Sequence, residues 1–370
     1  MKLLELLKEK ALSYYLHWLS DPGRVERLLN KKSYPKNCVA LGLSGRKEVQ
    51  GSGSSDLRVA AVQMHLELMP SAEAYAEQIY RLVRQAVEEG AQLVAFPEDS
   101  ATGLLGLLPG IKKVAGAGSL EGAITEMAGD NLRVADIFRF LAPATRRIYE
   151  ATFSGLARRF GVYLAAGSAI LPDATGRMVN LAHFYGPDGG LLGTQEKCHF
   201  IPMEWEWGLQ TGDNLQLFST PWTKVAIPIC MDASYFETFR IVSRLGAEIV
   251  IIPTANPEEY NFWKALRGIW PRVQEALVYG VNPCLVGELM GIKLTGRAGI
   301  FAPLQLTGNG DGILAQTNNS DQEEVVVANL DLGTLRRLRG EEKGEEDFNR
   351  QLYERYFPGI YDVVLPGHVS

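Results

Sequence analysis

Residues 225–240, VAIPICMDASYFETFR, join a strand-like run to a helix-like run. VAIPIC is short, apolar and rich in β-branched residues, which is typical of a buried strand, and the residues after it have apolar side chains at helical spacing. Cys230 therefore lies on a predicted strand-to-helix turn. Such a turn presents a nucleophile rigidly, beside helix amides that stabilise a developing anion. A free cysteine is more often only a small buried apolar side chain, so this interpretation needs support from elsewhere in the chain.

Two other strand-like runs also end at a charged residue. LVAFPEDS contains Glu98, and LLGTQEKCHF contains Lys197. The carboxyl ends of strands in an open α/β sheet lie along one edge, so we expect Glu98, Lys197 and Cys230 to meet in one pocket. Alone, such a glutamate is more often a helix cap or a surface ion pair, and such a lysine is usually solvated. Together the three segments favour a site with a carboxylate, an ammonium and a thiol.

The three motifs resemble those of the nitrilase, or carbon-nitrogen hydrolase, superfamily. They are FPE at 96–98, EKCHF at 196–200 and ICMDASYFETFR at 229–240. The resemblance continues in order through GAEIVIIPTANP, QEALVYGVNPCLVGELMG and GRAGIFAP, and covers residues from about 57 to about 339. It implies an α/β fold, a four-layer α-β-β-α sandwich. Asp232, two residues after Cys230, is similar to the amidase-like branches rather than to nitrilases in the narrow sense.

The resemblance also implies a role for each site residue. The thiol attacks a carbonyl carbon, one glutamate moves protons, and a lysine and a backbone amide stabilise the oxyanion. A second glutamate is implied shortly before a turn at 211–213, where Glu206 is favoured over Glu204. The catalytic candidates are thus Glu98, Lys197, Cys230 and Glu206 (or Glu204); the oxyanion candidates are Lys197 and Met231; the substrate-binding candidates are Trp205, Trp207 and Asp232.

The expected reaction is hydrolysis of an amide to a carboxylic acid and ammonia or an amine, through a thioester on Cys230. Three alternatives stay open: a nitrile-hydrolysing nitrilase, an N-carbamoyl amidohydrolase, and an inactive binding protein of the same fold. Asp232 argues against the first of these. The intact Glu-Lys-Cys set argues against the last.

Composition sets the broader limits. With 370 residues, 46% of them hydrophobic, and a net charge of −6, the chain is typical of a soluble globular protein. It has no basic run, which argues against a nucleic-acid partner. Its cysteines are too sparse for a disulfide scaffold, which favours a cytoplasmic location. No CxxC or HExxH pair occurs, so we expect neither a metal nor another cofactor. The cysteines are Cys38, Cys198, Cys230 and Cys284.

Residues 1–20 predict an amphipathic helix that ends at Asp21-Pro22-Gly23. Its charged residues argue against a signal peptide and a membrane span. GRKEVQGSGSSD at 45–56 is typical of a flexible linker. We therefore expect three parts: the helix and linker at 1–56, the hydrolase domain at 57–340, and a tail at 341–370 that lies at the subunit interface of a homodimer or larger oligomer. Within the domain, the patterns predict a helix from about Ser71 to Glu89, a helical run from Ala144 and a hairpin at 180–197.

The stretch from Ala101 to about Arg147 is longer than the resemblance implies. It begins with the apolar, glycine-rich TGLLGLLPGIKK and continues into a predicted helix near 131–141. Long loops are usually functional or mobile, so we interpret this one as a lid or wall over the pocket; the alternative is a surface excursion with no role in substrate choice. The helix at 1–20 and this second apolar segment together predict peripheral membrane contact, through 1–20 and 101–118, and an apolar amide substrate.

Overall fold

Two β-sheets form the centre of the protein in the computed structural model, which describes residues 2–32, 56–113, 122, 133–341 and 349–361. The strands of the first sheet are β1 Asp56–His65, β2 Leu93–Ala95, β3 Tyr163–Pro172, β4 Met178–Tyr185, β5 Leu191–Glu196, β10 Cys284–Leu289, β11 Ile292–Leu294 and β14 Glu324–Asp331. Those of the second are β6 Leu217–Ser219, β7 Lys224–Ala226, β8 Ala247–Ile251, β9 Tyr279–Asn282, β12 Gly299–Phe301 and β13 Ile313–Gln316. Their orders are β11-β10-β1-β2-β3-β4-β5, with β14 also beside β1, and β13-β12-β9-β8-β7-β6.

Helices cover the outer face of each sheet. They are α1 Lys2–Leu19, α2 Pro22–Lys31, α3 Ala72–Glu88, α4 Val134–Phe160, α5 Pro202–Trp207, α6 Phe236–Arg244, α7 Phe262–Ala265, α8 Ile269–Ala276, α9 Leu332–Glu341 and α10 Arg350–Ile360. Strand β1 runs parallel to β2, and β2 parallel to β3, so α3 and α4 are crossover connections. The predicted helix from Ser71 to Glu89 is confirmed as α3, which the Ser71 hydroxyl caps by accepting from the Ala74 amide.

The alternation of side chains in β1 explains the layering. Successive residues of a strand point to opposite faces. Val59 and Ala61 accordingly join the core between the two sheets, where Ile249 of the second sheet also lies. Val62 and Met64 join the core between the first sheet and its helices. A third core packs α6 and α8 on the second sheet. The predicted four-layer α-β-β-α sandwich is confirmed.

The N-terminal segment forms two helices rather than one. The chain does leave α1 at Asp21-Pro22-Gly23, but Asp21 then accepts from the Gly23 amide and begins α2, with Pro22 at a position where a missing N–H costs nothing. Val25 and Leu29 of α2 are buried against the core that α3 and α4 share. The packed side of this segment thus lies against the chain's own domain. Three aromatic side chains of α1 remain exposed: Tyr14, Tyr15 and Trp18.

The apolar segment after Glu98 packs into the core and not at the surface. It forms a 3-10 helix, Thr102–Leu107, whose backbone approaches residues 67–69 so closely that side chains larger than glycine at 103 and 106 would collide with it. The leucines are 0–7% exposed, so they do not supply the exposed apolar surface that the predicted membrane contact needs. They are Leu104, Leu105, Leu107 and Leu108. Residues 114–121 and 123–132, which hold the rest of the predicted lid, lie outside the described residues, as does most of the predicted linker at 45–56.

Helix α4 begins where the sequence predicts a helix and is longer than expected. The predicted helix near 131–141 and the helical pattern after Ala144 are one continuous element that passes through Pro143. At the other end of the chain, α10 places Phe357 against Phe236 of α6, and the Tyr361 hydroxyl donates to Glu237. Among the described helices, none combines the length and apolar character that crossing a bilayer requires.

Candidate functional site

Three short connections bring Glu98, Lys197 and Cys230 together. Glu98 follows β2 after Phe96 and Pro97, Lys197 follows β5 directly, and Cys230 opens a 3-10 turn after β7. Gly167 of β3 makes the first placement possible. It has φ 72°, and a Cβ there would lie only 1.8 Å from the Pro97 carbonyl oxygen, so only glycine lets the Glu98 loop approach.

Glu98 is fully hydrogen-bonded although it is only 2% exposed. Its Oε1 accepts from Lys197 Nζ at 2.7 Å and from Asn180 Nδ2 at 3.0 Å. Its Oε2 accepts from the Ala255 amide at 2.9 Å. A buried carboxylate is tolerated only with partners of this kind. The three donors also fix which way the carboxylate points.

Lys197 is the cation of the cluster and is 2% exposed. Its Nζ donates to Glu98 Oε1 and, at 2.6 Å, to Glu204 Oε2. Burial lowers the pKa of Lys197, but the carboxylates of Glu98 and Glu204 outweigh burial and raise that pKa well above its usual range. The side chain therefore stays an ammonium.

Glu204, not Glu206, is the second glutamate of this cluster. Glu204 lies in the first turn of α5, is 4% exposed, and also accepts from the Ile201 amide at 3.0 Å. Burial and the nearby Glu98 carboxylate raise the pKa of Glu204, against the opposing effect of the Lys197 ammonium. Glu206, the residue that the sequence favours, is exposed to solvent. The two differ because residues two apart on a helix point in different directions.

Cys230 is held in an unusual backbone conformation. Its φ is 46°, in the left-handed region that residues with a Cβ rarely adopt. Its amide donates to the Pro253 carbonyl at 2.9 Å. Burial and the nearby Glu98 carboxylate raise the pKa of the Cys230 thiol well above its usual range, although Lys197 and the Ala255 amide oppose the rise. The thiol is therefore neutral at rest and needs a base to become a nucleophile.

Asp232 does not face the substrate cleft, contrary to the prediction. It is 0% exposed and is used entirely by the protein. Its Oδ1 accepts from the His199 amide at 2.8 Å and from the Cys198 amide at 3.2 Å, and its Oδ2 accepts from the Ile229 amide at 2.8 Å. Asp232 thus ties the loop after Lys197 to the turn that carries Cys230. Both carboxylate oxygens are thus engaged by the protein's own backbone.

The two tryptophan candidates lie in different environments. Trp205 is 56% exposed and packs edge-on against Phe200. Trp207 is 6% exposed, packs against Phe138 and lines a small pocket. Met231, the oxyanion candidate, follows Cys230 in the 3-10 turn and lines the open cleft into which Cys230 faces. That cleft has a volume of about 450 Å³.

Two contributors to the cluster are absent from the sequence predictions. Asn180 in the middle of β4 and the Ala255 amide after β8 both donate to Glu98. Asn180 is the detectable one, because a polar amide inside the otherwise apolar run MVNLAHFY needs a partner. A backbone amide leaves no sequence signal. Within the part of the chain that the structure describes, no three His, Cys, Asp or Glu side chains are grouped as metal ligands.

Comparison with known proteins identifies the family of this chain. Residues 58–340 match the sequence model of the carbon-nitrogen hydrolase family. The chain belongs to that family. The three motifs predict this family, and that prediction is confirmed. The chain is 28% identical over 305 residues to the probable hydrolase YhcX of Bacillus subtilis (strain 168), an alignment that covers 80% of this chain and 54% of the relative. The chain thus spans about half the length of that relative.

A second relative is matched over most of its length. The omega-amidase NIT2 of Danio rerio is 26% identical over 298 residues, which cover 77% of the hydrolase and 92% of that protein. Among solved structures, a mutant of the amidase from Nesterenkonia sp. AN1 superposes with a TM-score of 0.57 at 18% identity, covering 84% and 100% of the two chains. The carbon-nitrogen hydrolase of Helicobacter pylori G27 gives a TM-score of 0.60 at 20% identity, covering 81% and 98%. These likenesses confirm the fold.

Proposed function

We propose that the protein hydrolyses a carboxylic amide through a thioester on Cys230. The observation that carries the proposal is the Lys197 ammonium held between Glu98 and Glu204, beside a thiol whose pKa is raised by burial and by Glu98. Two similar proteins, an omega-amidase and an amidase, support the amide class. Asp232, which ties the Lys197 and Cys230 loops together, gives the set a rigid frame.

In the first half of the reaction, Glu98 takes the thiol proton of Cys230 as sulfur attacks the amide carbon. A carbon–sulfur bond forms, and the carbonyl oxygen becomes an oxyanion. Lys197 and the Met231 amide stabilise that oxyanion. Glu98 then returns its proton to the amide nitrogen, the carbon–nitrogen bond breaks, and ammonia or an amine leaves. The acyl group stays on Cys230 as a thioester.

In the second half, Glu98 takes a proton from water as the water oxygen attacks the thioester carbon. The carbon–sulfur bond breaks, the thiolate recovers the proton, and the carboxylic acid is released. Glu204 holds Lys197 in place through both halves, since its Oε2 accepts from the ammonium while its α5 position is fixed by the Ile201 amide.

The test is product release from a panel of amides, nitriles and N-carbamoyl compounds, with the wild type and two variants. We expect amides to react fastest and Cys230→Ala to abolish turnover while the circular dichroism spectrum stays unchanged. Cys198→Ser is the matched control. Burial raises the pKa of the Cys198 thiol to about 12, so that thiol is a poor nucleophile and its loss should leave turnover intact. Full activity of Cys230→Ala would refute the proposal.

We also propose a homodimer or larger oligomer built across α6 and α10. The exposed residues of α10 include Leu352, Tyr356 and Ile360, which are 46–54% exposed, and such apolar surface is usually covered. Sedimentation at micromolar concentration should show a dimer or larger species. A monomer under those conditions would contradict this proposal without affecting the proposed reaction.

A further inference from the structure

A small second pocket adjoins the cleft of Cys230. The two share Met203 and Ala255, and the Ala255 amide is also a donor to Glu98. The second pocket has a volume of about 50 Å³. Since a water molecule needs about 10–15 Å³, the pocket has room for a group of a few heavy atoms. A substrate bound at Cys230 can therefore place one short end in it.

The described walls of this pocket are apolar except at Asp99 and Thr102. Leu66, Leu285 and Leu289 supply aliphatic surface, and Phe138 and Trp207 supply aromatic rings. Asp99, the neighbour of Glu98 in the chain, is the one ionisable residue among the described residues that line it. We call this site the Asp99 pocket.

The backbone of Asp99 is fixed on both sides. Its amide donates to the Ser168 hydroxyl at 3.1 Å, and its carbonyl accepts from the Thr102 amide at 2.9 Å. Its φ of 55° lies in the left-handed region, which aspartate adopts more readily than most residues but not without cost. The carboxyl group is thus held at the pocket by its own main chain.

The Asp99 carboxyl is not fully partnered. Its Oδ1 is buried and accepts no hydrogen bond from any described residue. A buried polar atom without a partner is uncommon and costs free energy in the absence of a ligand. Burial, together with the charges of Glu98 and Glu204, raises the pKa of Asp99 well above its usual range, against the opposing effect of Lys197. A positive charge beside Asp99 would therefore be favourable.

We propose that Asp99 is a specificity-determining residue that binds a short alkylammonium end of the amide substrate. This inference rests on the proposed function. An ammonium supplies the donor that Oδ1 lacks, the adjoining methylenes contact the leucines, and the aromatic rings favour a nearby cation. A carboxylate in the same place would instead face Asp99, Glu98 and Glu204. A neutral alkyl end would leave Oδ1 buried without a partner.

The first experiment compares kcat/KM for amides that differ only at the far end: γ-aminobutyramide, the neutral valeramide and the anionic glutaramic acid. We expect the wild type to prefer γ-aminobutyramide to valeramide about tenfold or more, the range of a charge-assisted hydrogen bond. In Asp99→Asn the ratio should fall to about threefold or less. Glu67→Gln removes an exposed carboxylate next to Leu66 and is the control, so its ratio should equal that of the wild type. A preference for valeramide or glutaramic acid, or an unchanged ratio in Asp99→Asn, overturns the inference.

The second experiment does not depend on turnover. Calorimetry measures binding of n-butylammonium chloride and of sodium butyrate to the wild type and to Asp99→Asn. We expect the wild type to bind the ammonium and not butyrate, and Asp99→Asn to lose about tenfold or more in affinity. Binding that depends on Asp99 without hydrolysis of any amide would refute the proposed function but support the pocket. Amide hydrolysis without such binding would refute the pocket alone.

Discussion

Glu98 and Asp99 are neighbours in the chain, but their carboxyl groups lie in opposite environments. Glu98 accepts three hydrogen bonds, from Lys197, Asn180 and Ala255, inside a polar cluster. Asp99 lines an apolar pocket with its Oδ1 unpartnered by any described residue. A carboxylate whose partners all come from the protein is suited to a fixed chemical step. One that lacks a partner is suited to recognising a group that arrives with the substrate.

The largest effect expected from this comparison follows the loss of charge at Glu98. Glu98→Gln keeps the shape of the side chain but removes the base, so kcat should fall by about 10²–10⁴-fold. Steady-state kinetics on the best amide measures this. Asp99→Asn, the neighbouring change, should alter the choice among amides far more than the rate on the best neutral one. Equal losses of kcat in the two variants would break the distinction between the two carboxyl groups.

Lys197→Met should have the next largest effect, on both activity and stability. It leaves Glu98 and Glu204 buried without their cation, and breaking a buried ion pair in this way costs about 3–5 kcal/mol of the free energy of unfolding. Urea denaturation followed by circular dichroism measures this. The control is Lys264→Met, which removes an exposed lysine paired with Glu258 and should cost at most about 1 kcal/mol. Similar losses in both variants would contradict the account of the cluster.

Asp232→Asn should lower the free energy of unfolding by less, about 1.5–3 kcal/mol, which is the contribution of a hydrogen bond to a charged group. Asparagine has one acceptor oxygen where Asp232 uses two, so one of the Cys198, His199 and Ile229 amides loses its partner. The unfolding free energy should fall while KM stays close to the wild-type value. A large rise in KM with unchanged stability would show that Asp232 contacts substrate after all.

The smallest effects sharpen the comparison within α5. Glu204→Gln should lower kcat by about tenfold, the lower end of what a hydrogen bond to a charged group contributes, because Lys197 keeps Glu98 as a partner but loses the Glu204 carboxylate. Glu206→Gln, two residues away and exposed, should change neither kcat nor stability beyond about 0.5 kcal/mol. The reverse result would restore the preference for Glu206 as the second glutamate.

Much of the fold is readable from the sequence because its strands are apolar on both faces and its motifs lie at their ends. The strand ending before Glu98, the hairpin of β4 and β5, and helix α3 all appear where the patterns predict them. The second N-terminal helix escapes prediction because Pro22 and Gly23 usually end a helix, while here Asp21 caps a new one. Periodicity alone also does not show whether the leucines after Glu98 are buried or exposed.

The site is less predictable than the fold for a geometrical reason. A motif identifies a strand end, but the orientation of a side chain on a short helix depends on register, so Glu204 and Glu206 cannot be separated from spacing. Asp232 is misread because its partners are backbone amides of Cys198 and His199, far from it in sequence. Asp99 gives no signal, since an aspartate after a glutamate is ordinarily a surface residue.

In the proposed reaction, Cys230 carries the acyl group of the amide during turnover. Intact-protein mass spectrometry, after a rapid acid quench of the wild type with its best amide, tests it most directly. We predict one added acyl group per chain, mapped by peptide analysis to Cys230 and absent from Cys230→Ser. Continued turnover without an adduct, or an adduct mapped to Cys198 or Cys284, would contradict the account.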